Sequence, residues 1–233
     1  MDYDGGWAQY ALARKDTLLP IPDHLPFDQD AITADAVSTP YAAIVDTGAV
    51  RPAQAVGIWG AGGLSAHGIR LARLVGAAPV IAVDPLPSAR ERALFFGADH
   101  ALDPMAGDFA EAVHEATAGR GIDVAFEFAG VGAARAQATT VLGPNGVLVL
   151  AGLIPEPVTV ADSIDFCFNV RQTADTTAPS RSTWNSSSDW PPPGASTSAP
   201  PSAPTSRWPK PQTPSPDWRR RSETRSASCS PPK

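Results

Sequence analysis

Gly60 and Gly62 lie in GIWGAGGLS, between a short apolar run and a stretch with helical spacing. They occupy the first two places of a G-x-G-x-x-G pattern, and Ser65 holds the third. A glycine at the first place allows a tight turn after a strand. One at the second lets an anion come up against the backbone, and the helix start beyond adds unpaired N–H groups and a positive dipole end. Gly60, Gly62 and Gly63, with the helix opening near Leu64, therefore form a candidate pyrophosphate cradle. The serine at the third place predicts slightly looser helix–strand packing. Asp84 closes the next apolar run, at the offset where a carboxylate accepts both hydroxyls of an adenosine ribose and repels a 2′-phosphate. The pair of features favours NAD over NADP. A glycine turn that binds nothing is the competing reading.

The elements needed to position these residues are legible. AVGIW (55–59), PVIAVD (79–84), HALD (100–103), IDVAFEFAG (122–130) and GVLVLAGLI (146–154) read as strands. Helical stretches separate them: one with Leu64, Gly68, Leu71 and Val75 on one face, then SARERALFFGA ending at Gly97, FAEAVHEATAG ending at Gly119, and AARAQATTVLG. Short apolar runs alternating with helices imply βαβ units and an α/β fold, a Rossmann-type doubly wound parallel sheet buried on both faces. Residues 1–50 differ. GGWAQYALA alternates like a half-exposed strand, DTLLPIPDHLPF is extended, and AITADAVSTPYAAIVDTG reads as a helix disturbed by Pro40. Fifty residues of this kind make a poor core on their own.

Charge and composition split the chain near Arg171. Residues 1–172 hold 10 Lys/Arg against 20 Asp/Glu, which argues against nucleic acid as a partner. Cys167 and Cys229 have neither disulfide-framework nor metal-ligand spacing, and Cys167 in FCFNV reads as a buried small apolar residue. No apolar stretch reaches about 18 residues, and the acidic start MDYDGG is no signal peptide, so a soluble cytoplasmic protein without membrane contact is expected. His24, His100 and His114 read as ordinary turn and surface residues, whereas His67, early in the first Rossmann helix, could brush a phosphate.

GIWGAGGLSAHGIRLARLVGAAPVIAVDPLPSARERALFFGADHALD resembles the cofactor domain of the medium-chain, zinc-type alcohol dehydrogenases. GGWAQYALARKDTLLPIPDHLPFDQDAI resembles the closing part of their GroES-like catalytic domain. The resemblance implies a catalytic-domain remnant at 1–50 and an NAD-binding Rossmann domain at 51–172, with a disordered Pro/Ser-rich tail left at 173–233. FAGVG, with Ala129 and Gly130, matches the loop beside the adenine ribose and nicotinamide; AGLI, with Gly152 and Leu153, matches the strand end at the carboxamide. In ADAVST the family pattern implies Asp35 as an inherited zinc ligand and Thr39 as the residue against the nicotinamide. Without the resemblance, Asp35 reads as a solvated or capping carboxylate. The other two catalytic zinc ligands and the structural-zinc cysteines have no counterpart, so tight metal binding is not expected.

The implied function is NAD-dependent hydride transfer between an alcohol and an aldehyde or ketone, with a small-molecule alcohol or carbonyl as the partner. The resemblance carries the function of the family, not the activity of this chain alone. The alternatives are a zinc-independent quinone or enoyl reductase of the same superfamily, and a non-catalytic NAD-binding or Pro-rich interaction protein.

Residues 173–233 hold 13 of the 25 prolines and no Val, Leu, Ile, Phe or Tyr. At face value this is a disordered Pro/Ser-rich tail, a ligand for proline-binding grooves. The four tryptophans from Trp184 to Trp218 fit a second reading better. Shifted one nucleotide earlier, each Asp-Trp pair must encode Leu, each Trp-Pro pair Ala, and Trp-Asn Glu, and the shifted text resembles the usual ending of the same dehydrogenases. The tail then reads as out-of-frame, and the coding DNA decides between the two. Family members are homo-oligomers whose last strand and dimer edge come from that ending. The expectation is a chain that lacks the interface, exposes the 146–154 strand edge, and is monomeric or prone to aggregate.

Overall fold

The computed structural model describes residues 8–176. All of them fall within one of the chain's two units, Met1–Trp190. The Trp-rich part of the tail lies outside the described residues.

Six strands form one parallel sheet: β1 (Val56–Trp59), β2 (Val80–Val83), β3 (His100–Leu102), β4 (Ile122–Glu127), β5 (Leu142–Leu150) and β6 (Gln172–Asp175). Their order is β3-β2-β1-β4-β5-β6. The helices α1 (Phe27–Ile32) and α2 (Ser38–Tyr41) precede the sheet; α3 (Gly63–Leu74), α4 (Pro87–Phe96), α5 (Phe109–Ala116), α6 (Gly132–Thr140) and α7 (Ser163–Phe168) connect its strands. The order reverses beside β1, which is the doubly wound arrangement expected.

Side chains of successive strand residues go to opposite faces, and two cores result. Val56 and Ile58 of β1, Val80 and Ala82 of β2, Phe126 of β4 and Val149 of β5 join Ile69, Leu71 and Ala72 of α3 on one face. Trp59, Ile81, Val83, Ala125 and Leu148 join Phe109 and Val113 of α5 and Ala138 of α6 on the other. Burial on both faces explains why the strands read as continuous apolar runs.

The segment before the sheet runs helically from Phe27 to Thr47, with π-helical turns at Thr33–Val37 and Ala42–Thr47 on either side of α2. Pro40 lacks an N–H and its ring crowds the carbonyl one turn back, so wide turns flank it instead of a break. Ala43 and Ile44, fully buried, pack into the α3-side core with Val56 and Ile58. Ala8–Ala13, the described part of the alternating GGWAQYALA stretch, contain no strand. Alternation marks a strand only where a neighbour supplies the hydrogen-bond ladder.

Three further expectations are corrected at the far edge. The outer side of β5 is paired, Val147 with Gln172 through Leu150 with Asp175, so the 146–154 strand does not present bare backbone to that side. β6 escaped notice because its residues are mostly exposed and carry no apolar signature. Strand β5 also begins at Leu142 and stops at Leu150 instead of running to Ile154. The amides of Ala151 and Gly152 both donate to the Glu127 carbonyl, at 3.0 and 2.7 Å, which turns the chain out of the ladder. Cys167 is exposed, not buried: α7 is a short helix capped by Asp162, and it is Phe166 that packs on the core. Among the described residues no helix is long and apolar enough to cross a membrane.

Candidate functional site

Trp59, Val83, Glu127 and Leu150 stand in one register row across the sheet. The residues that follow them, Gly60, Asp84, Phe128 and Ala151, therefore share the carboxyl edge. Between β1 and β4 the chain direction of the crossovers reverses, and a crevice opens there in sheets of this order.

Gly60 makes the turn out of β1 with φ +85°, a backbone conformation that side chains disfavour. A Cβ there would also stand 2.9 Å from the Ala129 Cβ, so the loop after β1 packs directly on the loop after β4. Gly62 and Gly63 differ: nothing lies within 4 Å of where their side chains would begin. They form the open floor of the crevice. α3 begins at Gly63 with no side chain capping its first turn, so its leading N–H groups are left for a ligand or water. Leu64 is half-buried at that start, and Ser65 is buried at 1% exposure, so the third motif position is packed inside as a glycine would be.

Asp84 does more than stand at the end of β2. Its Oδ2 accepts from the Ala61 amide at 2.8 Å and its Oδ1 from the Leu86 amide at 2.8 Å. Each carboxylate oxygen keeps a further lone pair for an incoming hydroxyl. Arg92 donates to the Ala61 carbonyl at 2.8 Å, so both backbone groups of Ala61 are held by side chains, one just after β2 and one from α4. The Asp84–Ala61 bond fixes the carboxylate beside the glycine turn.

The β4 and β5 loops complete the row. Ala129 is exposed and Gly130 and Gly152 half-buried, while Leu153 projects outward at 94% exposure. Thr39 is half-buried, and its neighbour Pro40 and Phe128 both approach Gly68 of α3, at 3.7 and 3.3 Å from the position of a Cβ. The structure thus gathers Gly60, Gly62, Gly63, Leu64, Asp84, Ala129, Gly130 and Gly152 at one edge. It does not draw in Asp35. That carboxylate is exposed, and its Oδ1 accepts from the Thr39 hydroxyl at 2.9 Å. Among the described residues no three of His, Cys, Asp and Glu come together as a metal site. The donors present do not fit a catalytic zinc.

Sequence reasoning passed over Glu127 and Arg135. Glu127 is fully buried at the end of β4, paired with Arg135 of α6 at 3.0 Å. The sequence carries a signal for it: Glu127 stands inside the apolar run VAFEFAG (124–130), and a carboxylate in a strand with both faces covered needs a buried partner.

His67 sits half-buried on α3, and burial first, then the nearby Arg70, lowers its pKa. Both effects favour the neutral imidazole, which is a poorer phosphate ligand than the cation. Because its folded pKa lies below the unfolded one, its full contribution to stability is present above the unfolded value of about 6.5 and is lost as pH falls through the folded value. His67→Gln is expected to flatten the fall in Tm between pH 7.5 and 5.5. Equal slopes for variant and wild type would show that His67 is not a source of the acid lability.

Comparison with known proteins agrees with this fold. A family model described as zinc-binding dehydrogenase matches residues 63–192. L-threonine 3-dehydrogenase of Pyrococcus horikoshii is 34% identical over 162 residues, covering 69% of this chain and 45% of that protein. An alcohol dehydrogenase of Geobacillus stearothermophilus is 34% identical over 163 residues, covering 69% and 47%. The solved alcohol dehydrogenase zinc-binding domain protein from Burkholderia ambifaria superposes with a TM-score of 0.71 at 26% identity, covering 77% of this chain and 48% of that one. The chain spans about half the length of the curated relatives it matches. With its six-stranded parallel sheet and a matched segment exceeding half its length, the chain belongs to the zinc-binding dehydrogenase family.

Proposed function

We propose that this chain binds NAD across the carboxyl edge of its sheet and is the cofactor-binding part of an NAD-dependent alcohol–carbonyl oxidoreductase. The observation that carries the reading is the junction of two features. The open floor at Gly62 and Gly63 lies at the start of α3, and Asp84 is tied by its Oδ2 to the amide of Ala61 between them and Gly60. The pyrophosphate would lie on that floor, where helix N–H groups and the dipole favour negative charge. Asp84 would accept the ribose hydroxyls. Thr39, Ala129, Gly130, Gly152 and Leu153 would border the nicotinamide. NAD supplies the ring carbon that takes or gives the hydride. The residues of this chain orient it and keep its ribose and phosphates fixed.

Relatives named L-threonine 3-dehydrogenase and alcohol dehydrogenase support a small hydroxyl compound as the substrate here. The described residues do not assemble the ligands of a catalytic zinc. Calorimetric titration with NAD and NADP tests the binding, followed by an alcohol-oxidation assay with and without added zinc. NAD is expected to bind at least about tenfold more tightly than NADP, because a 2′-phosphate would meet the Asp84 carboxylate. Equal affinities, or binding of neither, would overturn the cofactor assignment.

A further inference from the structure

A buried arginine–carboxylate pair joins the two loops on the nicotinamide side of the crevice. Glu127 Oε1 accepts from the Gly130 amide at 2.5 Å and from the Val131 amide at 3.4 Å. Its Oε2 accepts from Arg135 Nε at 3.0 Å. Arg135 then reaches across to the loop after β5, with Nη2 donating to the Gly152 carbonyl at 2.6 Å and Nη1 to the Glu156 carbonyl at 3.3 Å. The main chain of Glu127 binds that same loop, its carbonyl accepting from Ala151 and Gly152. Oε2 and Nε hold the pair together, and the remaining oxygen and two guanidinium nitrogens each reach one of the loops.

The two loops also touch directly. A Cβ on Gly152 would collide with the Gly130 nitrogen, and one on Gly130 would lie 3.3 Å from Ile154. Glycines at both positions let the backbones meet, and the ion pair holds them there. Burying such a pair adds little stability, because desolvation cancels much of the attraction, so its contribution lies in the geometry it imposes. The guanidinium has the shape for this bridge, since its planar fork serves a carboxylate and two carbonyls at once, which a lysine ammonium on its flexible stem does not.

We infer that Glu127 and Arg135 are positioning residues that set the distance between the 128–132 and 151–156 loops and so fix where the nicotinamide half of the dinucleotide lies. This rests on the cofactor reading above. The adenosine and pyrophosphate halves are held separately, by Asp84 and the floor at Gly62 and Gly63. Loss of the pair therefore loosens one half of the ligand and not the other.

The test uses the full chain and two variants. Glu127→Gln/Arg135→Met replaces the pair by a neutral and an apolar residue of similar size, and avoids the unpaired buried charge a single truncation would leave. Arg135→Lys keeps the ion pair but gives up the reach to Gly152. Calorimetry with NADH and with ADP separates the two halves. Both variants should lose about tenfold or more in NADH affinity, the scale of one charge-assisted hydrogen bond, while ADP affinity stays within about twofold. Amide hydrogen exchange, with no ligand present, should rise about tenfold or more at Gly130, Ala151 and Gly152 and stay unchanged at Ala61 and Gly62. Equal losses for NADH and ADP, or exchange raised throughout, would reduce the pair to a general structural role and overturn the inference. Unchanged exchange at Gly130 and Gly152 would overturn it as well. If exchange rises locally but the wild type binds neither NADH nor ADP, the cofactor assignment fails and the loss of the nicotinamide role follows from that failure, with the loop clamp itself intact.

Discussion

Phe126→Ala is expected to lower the free energy of unfolding by about 3–5 kcal/mol, the range for truncating a fully buried aromatic. Phe126 is 0% exposed on β4, flanked in register by Ile58 of β1 and Val149 of β5. Its ring stacks on Phe128, with centroids 6.2 Å apart and planes 15° from parallel. Ring atoms also come within 2.7 Å of where a Cβ on Gly48 would be, so Phe126 is the wall against which the chain leaving the Ala42–Thr47 turn is set. The sheet cannot collapse into the resulting void, because hydrogen bonds to both neighbouring strands hold β4 in place. Most of the cavity term should therefore survive relaxation. Phe126→Leu should cost less, since most of the volume remains. Denaturant melts with unchanged m-values would read both effects. A loss below about 1.5 kcal/mol for the alanine variant, well under the usual range for such a truncation, would mean that the Ala42–Thr47 segment moves inward and that its packing is soft.

The same residue explains why the sheet was legible from sequence and its edges less so. Phe126, Ile58, Val80 and Val149 are buried with both faces covered, and apolar side chains are the only ones that fit, so composition alone marks those strands. The glycine turn and Asp84 were legible because their meaning is local, a turn and a carboxylate one strand apart. Glu127 and Arg135 were not read, although a charge in a buried strand is itself a signal. Their meaning depends on which loops the fold brings together. β6 is held by backbone pairing with β5 and leaves its side chains in solvent, so hydropathy says nothing of it. Cys167 misled in the opposite sense, since an apolar-looking FCFNV folds as a short surface helix with one face inward. Asp35 was assigned by position within a motif, and position alone does not bring in the other donors a metal needs.

Asp84→Ala carries the largest expected effect on ligand binding. If the carboxylate accepts two ribose hydroxyls, each bond to a charged acceptor contributes about 1.5 kcal/mol, and their loss should weaken NAD by roughly a hundredfold. NADP should change far less, because removing the carboxylate also removes its repulsion of the 2′-phosphate. The ratio of the two affinities is therefore the sensitive quantity. Asp84 also anchors the Ala61 amide, so the variant disturbs the glycine turn as well as the ribose contact. Inorganic pyrophosphate separates the two contributions, since it tests the floor at Gly62 and Gly63 without a ribose. Unchanged pyrophosphate binding with a collapsed NAD/NADP ratio would place the effect on the ribose. Weakened pyrophosphate binding with the ratio preserved would make Asp84 a loop anchor only, and preference for NAD would then have to come from another group. Asp84→Asn sharpens the distinction. The amide removes the charge and presents a donor where the second oxygen stood, so its one oxygen can accept from the Ala61 amide or the Leu86 amide but not from both.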